Sequence, residues 1–180
     1  MSDDHFDWFT KARSRLWART PNLDKVPRSH LFIGTFGFAG LSPVSSGTVG
    51  SLVAALLYFV FPPFQHTIPL IIGCILVLWA GTKSAGVIER TTGIQDPGIV
   101  VIDEVLGQWV ALLFIPPEYN HIASIVLISF LLFRIFDIVK VPPARFFERK
   151  GGGLGIMLDD VVAGIYANIG TRIAIHFIYQ

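Results

Sequence analysis

The chain reads as long apolar runs broken at short polar or proline-rich intervals. Five runs stand out, at about 48–61, 67–88, 99–115, 119–139 and 154–178. Each is apolar around its whole circumference, which predicts helices buried in protein or lipid rather than helices with one solvated face. A bilayer span needs about 20 residues, so the first run is short unless the segment before it also dips into the membrane. That segment, LFIGTFGFAGLSPVSSGTVGS over 31–51, carries glycines at 34, 37, 40, 47 and 50 together with Pro43. So many breakers predict a short half-helix, an irregular loop from about Gly40 to Thr48, and then a new helix. Irregular backbone at membrane depth is tolerated only where protein buries it or where it lines a cavity. Pro62-Pro63 and Pro116-Pro117 read as tight turns. The expected architecture is an all-α, polytopic membrane helical bundle with about five membrane segments and a re-entrant or irregular Gly/Ser loop near the first.

Charge sharpens this picture. Ten of the 27 charged residues lie within residues 1–28, and none occurs from Leu31 to Thr82. Over the 180 residues 52% are apolar and only 15% charged, against about 25% charged in soluble domains. The chain is too apolar for disorder. With a net charge of +1 and no basic stripe beyond the N-terminus, it does not read as a nucleic-acid binder. The single cysteine, Cys74, excludes a disulfide scaffold and sits in an apolar run, where a thiol is inert. Residues 1–28 lack the apolar core of a signal peptide. They form a separate amphipathic or soluble lead, read as an interfacial helix or a solvated tail, ahead of one membrane-embedded domain over 29–180.

Lys and Arg concentrate in 1–28, in 83–98 and in 140–153, while the loops at 62–66 and 116–118 carry neither. Basic loops stay cytoplasmic. Five alternating spans then place the N-terminus inside and the C-terminus outside.

The topology gathers the costly residues on one side. Asp96, Asp103, Glu104, Asp137, Asp159 and Asp160 all fall at the cytoplasmic ends of segments. A carboxylate inside the membrane costs several kcal/mol, about 2.5–3.5 for Asp at mid-helix. Six converging carboxylates repel unless neutralised, and hard oxygen ligands in this number favour Mg²⁺ or Ca²⁺ over zinc. Asp103, Glu104 and Asp160 are the expected ligands, with Asp96, Asp137 and Asp159 as further ligands or supporting groups. Arg134, Asp137 and Lys140 share a helical face. Gly47-Thr48-Val49-Gly50-Ser51 offers free amides at a helix start, the geometry that binds phosphate. No lysine follows as in a nucleotide-binding loop. Gly47, Thr48, Gly50, Ser51, Arg134 and Lys140 are therefore the expected phosphate binders. Asp103, Glu104, Asp160 and Thr48 are the expected catalytic set, Thr48 as an alternative nucleophile to water. Intramembrane carboxylates also mark ion paths, so a cation transporter and a non-catalytic anionic-lipid-binding protein are the rival readings.

Four blocks, GLSPVSSGTVGS (40–51), DPGIVVIDEVLGQW (96–109), FRIFDIVKVPPARFFE (133–148) and GGGLGIMLDDVVAG (151–164), resemble the phosphatidylglycerophosphatase A family in order and spacing. Two positions depart from the family pattern: Ser46 and Val141 stand where the family usually has proline. The resemblance implies an integral-membrane lipid phosphatase of the bacterial inner membrane. It implies Mg²⁺-dependent hydrolysis of phosphatidylglycerophosphate to phosphatidylglycerol and phosphate, with the site facing the cytoplasm and no obligate protein partner.

Overall fold

The computed structural model describes residues 20–43, 45–116 and 121–178. Most of the amphipathic lead and part of the Pro116-Pro117 turn lie outside them. Within the described residues the chain is all-helical, as expected. Seven α-helices follow in order: α1 Arg28–Gly34, α2 Ser46–Val60, α3 Thr67–Thr92, α4 Ile102–Ala111, α5 Ile122–Val139, α6 Ala144–Lys150 and α7 Gly152–Ile178.

Three helices, α3, α5 and α7, are long and apolar enough to cross a membrane, and α2 is a shorter apolar helix. The third of the five runs differs most from the sequence reading. The run 99–115 forms only the ten residues of α4. At 1.5 Å per residue α4 is about 15 Å long, half the hydrocarbon core. Its uniform apolarity is explained by burial in protein. Ile102, Asp103, Val105, Leu106, Gly107, Gln108, Trp109 and Ala111 are all buried, between α2 on one side and α7 on the other.

Why α4 starts at Ile102 is visible in the loop before it. Gly93, at φ 71, ends α3 in the left-handed conformation that glycine adopts freely. A turn follows, closed by Val100 N–H to the Pro97 carbonyl at 2.8 Å, and Val101 N–H donates to the Gly34 carbonyl at 2.9 Å. The α4 side chains then tie inward: Trp109 Nε1 donates to the Ala54 carbonyl on α2 at 3.1 Å. Gln108 Nε2 donates to Ser129 Oγ on α5 at 3.2 Å. Asn168 Nδ2, on α7, donates to the carbonyls of Ala111 and Leu113, which α4 leaves without helical partners at its end.

Small residues set how closely the helices approach. A Cβ on Gly164 would collide with the Gly107 backbone carbonyl, and one on Gly153 with the Thr82 carbonyl. α7 therefore presses its backbone against both α4 and α3, the close approach that small residues allow in membranes. On the outer surface the pattern inverts. Ile75 and Trp79 on α3, Leu131 and Ile135 on α5, and Ile165, Ile169 and Ile173 on α7 are all exposed. Polar groups inside and a continuous apolar exterior are what a lipid-facing bundle requires. Leu23 and Val26, from the end of the N-terminal lead, are buried in the main core cluster.

Candidate active site

The site forms where four helix ends meet. Asp103 and Glu104 occupy the first turn of α4, where the partial positive charge of a helix N-terminus favours carboxylates. Asp160 comes from the third turn of α7. One carboxylate oxygen each from Asp103, Glu104 and Asp160 lies within 4.8 Å of the other two. Asp103 and Asp160 are 7% and 4% exposed. Asp103 Oδ1 and Glu104 Oε2 are buried with no hydrogen-bond partner. Buried carboxylate oxygens without donors are costly. Three converging buried acidic groups repel one another unless positive charge neutralises them. The donor set is all oxygen, which fits a hard divalent cation.

The start of α2 closes the site from above. A Cβ at Gly47 would fall on Glu104 Oε1 and lie 3.4 Å from Arg134 Nη1. Gly47 thus admits the Glu104 carboxylate and the Arg134 guanidinium directly against the helix N-terminus. Ser45 and Thr48 hydroxyls are hydrogen-bonded at 2.7 Å, and Val49 N–H bonds the Ser45 carbonyl. The amides left without a helical partner are therefore those of Ser46, Gly47 and Thr48. Gly50 and Ser51 lie one turn further in. Gly50 packs on Val101, and the buried Ser51 hydroxyl donates to the Gly47 carbonyl at 2.9 Å. Neither faces the acidic group. Ser46, at the departure from the family pattern, uses its hydroxyl to donate to the Gly98 carbonyl. That bond ties α2 to the loop before α4.

The end of α5 supplies the cations. Arg134 Nη1 lies 2.7 Å from Asp137 Oδ2. The pair is close but not aligned for a hydrogen bond, and Nη1 has no acceptor. Lys140 is placed differently from the sequence expectation. Its Nζ lies 2.7 Å from Glu148 Oε1 on α6 and 3.3 Å from Asp159 Oδ2 on α7. Burial works against the lysine charge. The hydrogen bond to Glu148 and the attraction of Asp159 outweigh it, so the ammonium is held more firmly than in water. Asp159 is satisfied at both oxygens, since its Oδ1 accepts from the Asp160 amide at 3.0 Å. Asp96 is exposed, with its backbone at φ 49.

Of the six acidic candidates, Asp103, Glu104 and Asp160 are brought together. Asp137 lies between Arg134 and Asp160, touching both, Asp159 pairs with Lys140, and Asp96 stands at the surface. Glu148 was not foreseen, because the short α6 folds back only after the chain leaves α5. Gln108, one turn below Glu104 with its Oε1 unpaired in the core, was not foreseen either. A polar residue in the apolar stretch from Val105 to Leu113 was its only signal.

Fold and site together describe a helical membrane protein whose buried acidic centre sits beside a guanidinium and a free helix N-terminus. That is equipment for a phosphorylated lipid. The family model for phosphatidylglycerophosphatase A matches residues 32–175, and the chain belongs to that family. It is 36% identical over 141 residues to phosphatidylglycerophosphatase A of Escherichia coli, covering 76% of this chain and 77% of the relative. With the Haemophilus influenzae protein of the same name it is 36% identical over 141 residues, covering 78% and 84%. A Bacteroides thetaiotaomicron protein, provisionally named a phosphatidylinositol-3-phosphatase, is 38% identical over 148 residues, covering 80% and 92%. No solved structure matches the chain significantly.

Proposed function

We propose that this chain is a metal-assisted phosphatidylglycerophosphatase, hydrolysing the phosphomonoester of phosphatidylglycerophosphate to phosphatidylglycerol and inorganic phosphate. Family membership supports the substrate. The observation that carries the mechanism is the group Asp103, Glu104 and Asp160 with its two unpartnered buried oxygens. These three residues would hold Mg²⁺, which supplies charge neutralisation and an acidified water. Arg134, held by its ion pair with Asp137, and the amides of Ser46, Gly47 and Thr48 bind the phosphoryl oxygens and stabilise charge that builds on them. Asp137 orients Arg134. Lys140 and Asp159 hold Asp160 from behind, through the Asp159-to-amide bond. Water attacks phosphorus in line, the P–O bond to glycerol breaks, and the proton released by the attacking water ends on the leaving oxygen, giving the glycerol hydroxyl and hydrogen phosphate. The Thr48 hydroxyl, hydrogen-bonded to that of Ser45 in the first turn of α2, is the alternative nucleophile.

The reading also covers placement. Bacterial relatives and three membrane-length helices support a bacterial inner-membrane protein. The basic stretches beside the site put it at the cytoplasmic face. α4 and the chain after it to Ile115 would complete one of five crossings.

The test is phosphate release from purified protein in detergent with phosphatidylglycerophosphate. Turnover should stop with EDTA and return with Mg²⁺. Asp103→Asn and Asp160→Asn should each lower kcat by about 10²-fold or more, roughly 3 kcal/mol of barrier. Mg²⁺ should raise the melting temperature of the wild type, since a ligand that binds only the folded state stabilises it, and should not raise that of Asp103→Asn. Full turnover in EDTA would remove the metal from the mechanism.

A further inference from the structure

A lateral groove of about 240 Å³ runs between α2 and α5, lined by Leu52, Ala55 and Phe59 on one side and Ala123, Val126 and Phe130 on the other. No polar side chain lines it. Ala55, 3% exposed, and Val126, 8% exposed, form the floor. Leu56 and Leu127, at 50% and 57% exposure, stand at the rims and leave it open to the membrane side.

Its position relative to the site is what gives it meaning. Leu52 lies one turn after Thr48 on α2, and Phe130 lies one turn before Arg134 on α5. The groove is thus the downward continuation of the cleft in which Gly47 meets Glu104 and Arg134. From Thr48 to Phe59 is eleven residues, about 16 Å of helix, or about half of the roughly 30 Å hydrocarbon core. The geometry points to this groove as the seat of one acyl chain of the phospholipid substrate, held along one leaflet while the phosphomonoester reaches the acidic centre. This rests on the hydrolase reading and adds a binding subsite to it. A larger apolar cavity, about 390 Å³, lies between α1 and α3, and none of its lining residues is on α2 or α5, the helices that carry Gly47 and Arg134.

An acyl chain in this groove would replace loosely packed lipid contacts with a fixed apolar wall. The phosphate would be aligned by the chain as well as by Arg134, so chain length should enter KM. The notion that only the headgroup engages the protein, its tails free in the bilayer, predicts the opposite.

The experiment compares dipalmitoyl and dihexanoyl phosphatidylglycerophosphate in mixed micelles with wild type, Ala123→Trp and Ile75→Trp. Ala123 is exposed at the far end of the groove, so the indole shortens the groove without entering a packed core. Ile75, 61% exposed on α3, is the control for a bulky residue elsewhere on the lipid face. The wild type should show a lower KM for the dipalmitoyl substrate. Ala123→Trp should raise that KM about tenfold, the equivalent of about 1.4 kcal/mol, with kcat and the dihexanoyl KM unchanged. Ile75→Trp should change neither. Equal wild-type KM values for the two substrates, an unchanged dipalmitoyl KM in Ala123→Trp, or an equal rise for both substrates would each overturn the groove. If the wild type released no phosphate from either substrate, the hydrolase reading would fail first. Photolabelling by phosphatidylglycerol with a mid-chain diazirine then decides the groove alone. Adducts concentrated at Leu56 and Leu127 support it, and adducts spread evenly over the outer faces of α3, α5 and α7 overturn it.

Discussion

Gly47 shows how much chemistry one missing methyl group permits. Its hydrogen atom leaves room for Glu104 Oε1, and its backbone lies beside Arg134. A Cβ there would push the Glu104 carboxylate, the flexible end of a side chain, away from Asp103 and Asp160. Gly47→Ala should therefore lower kcat at least tenfold, about 1.4 kcal/mol. Its melting temperature should stay within a few degrees, because alanine is a better helix residue than glycine. Side-by-side thermal unfolding and phosphate release would check this, and a loss of activity matched by a large loss of stability would make Gly47 a packing residue only. Gly50 and Ser51 belong to the second kind: the same loop motif supplied both, but one packs on Val101 and the other bonds its own helix.

Elements, rather than single side chains, hold the carboxylates in register. α7 carries Asp160 one turn before Gly164, and the Gly164 Cα faces the Gly107 carbonyl of α4. Gly164→Ala must move two backbones apart, and neither can yield by rotating a side chain. Overpacking of this kind costs about 1–3 kcal/mol. It should also weaken Mg²⁺ binding, because Asp160 moves away from Asp103 and Glu104. Denaturant unfolding and the Mg²⁺ dependence of turnover measure the two effects separately, and wild-type behaviour in both would refute the packing role. Lys140 acts at the same scale. It joins the end of α5 to α6 through Glu148 and to α7 through Asp159. Lys140→Ala leaves Asp159, 8% exposed as a side chain, without its cation. It should cost about 1–2 kcal/mol of stability, between the values for surface and buried pairs, and should also lower activity. Lys140→Arg should recover most of the stability. Equal stability in all three proteins would make Lys140 a snorkelling residue.

At the scale of the molecule, the bundle is polar at one end and apolar around its girth. The orientation proposed above rests on charge, because Lys and Arg gather in the segments beside the site and avoid the opposite loops. A cysteine introduced by Gly152→Cys, in a Cys74→Ala background, reports on this directly, since Gly152 is exposed and Cys74 is the single native thiol. In intact spheroplasts a membrane-impermeant thiol reagent should leave it unlabelled, and opening the membrane should expose it. Labelling before the membrane is opened would put the acidic centre on the outer face.

Much of this was legible in the sequence, for physical reasons that act locally. Long apolar runs without charge have no stable form in lipid except helices, so the all-helical class follows from composition and run length. That Asp103, Glu104 and Asp160 gather was legible too, because carboxylates at segment ends are too costly to be accidental. Tertiary structure decided the rest. A run of apolar residues does not say whether lipid or protein surrounds it, so the sequence could not show that the helical part of 99–115 is the ten-residue α4, enclosed by its neighbours. Which three of six carboxylates meet, and that Lys140 turns to Glu148 and Asp159, depends on where helix ends cross. Those crossings are set by the contacts of Gly107, Gly153 and Gly164 with distant backbone. Sequence spacing can place residues on one face of one helix; only packing between helices chooses which faces meet.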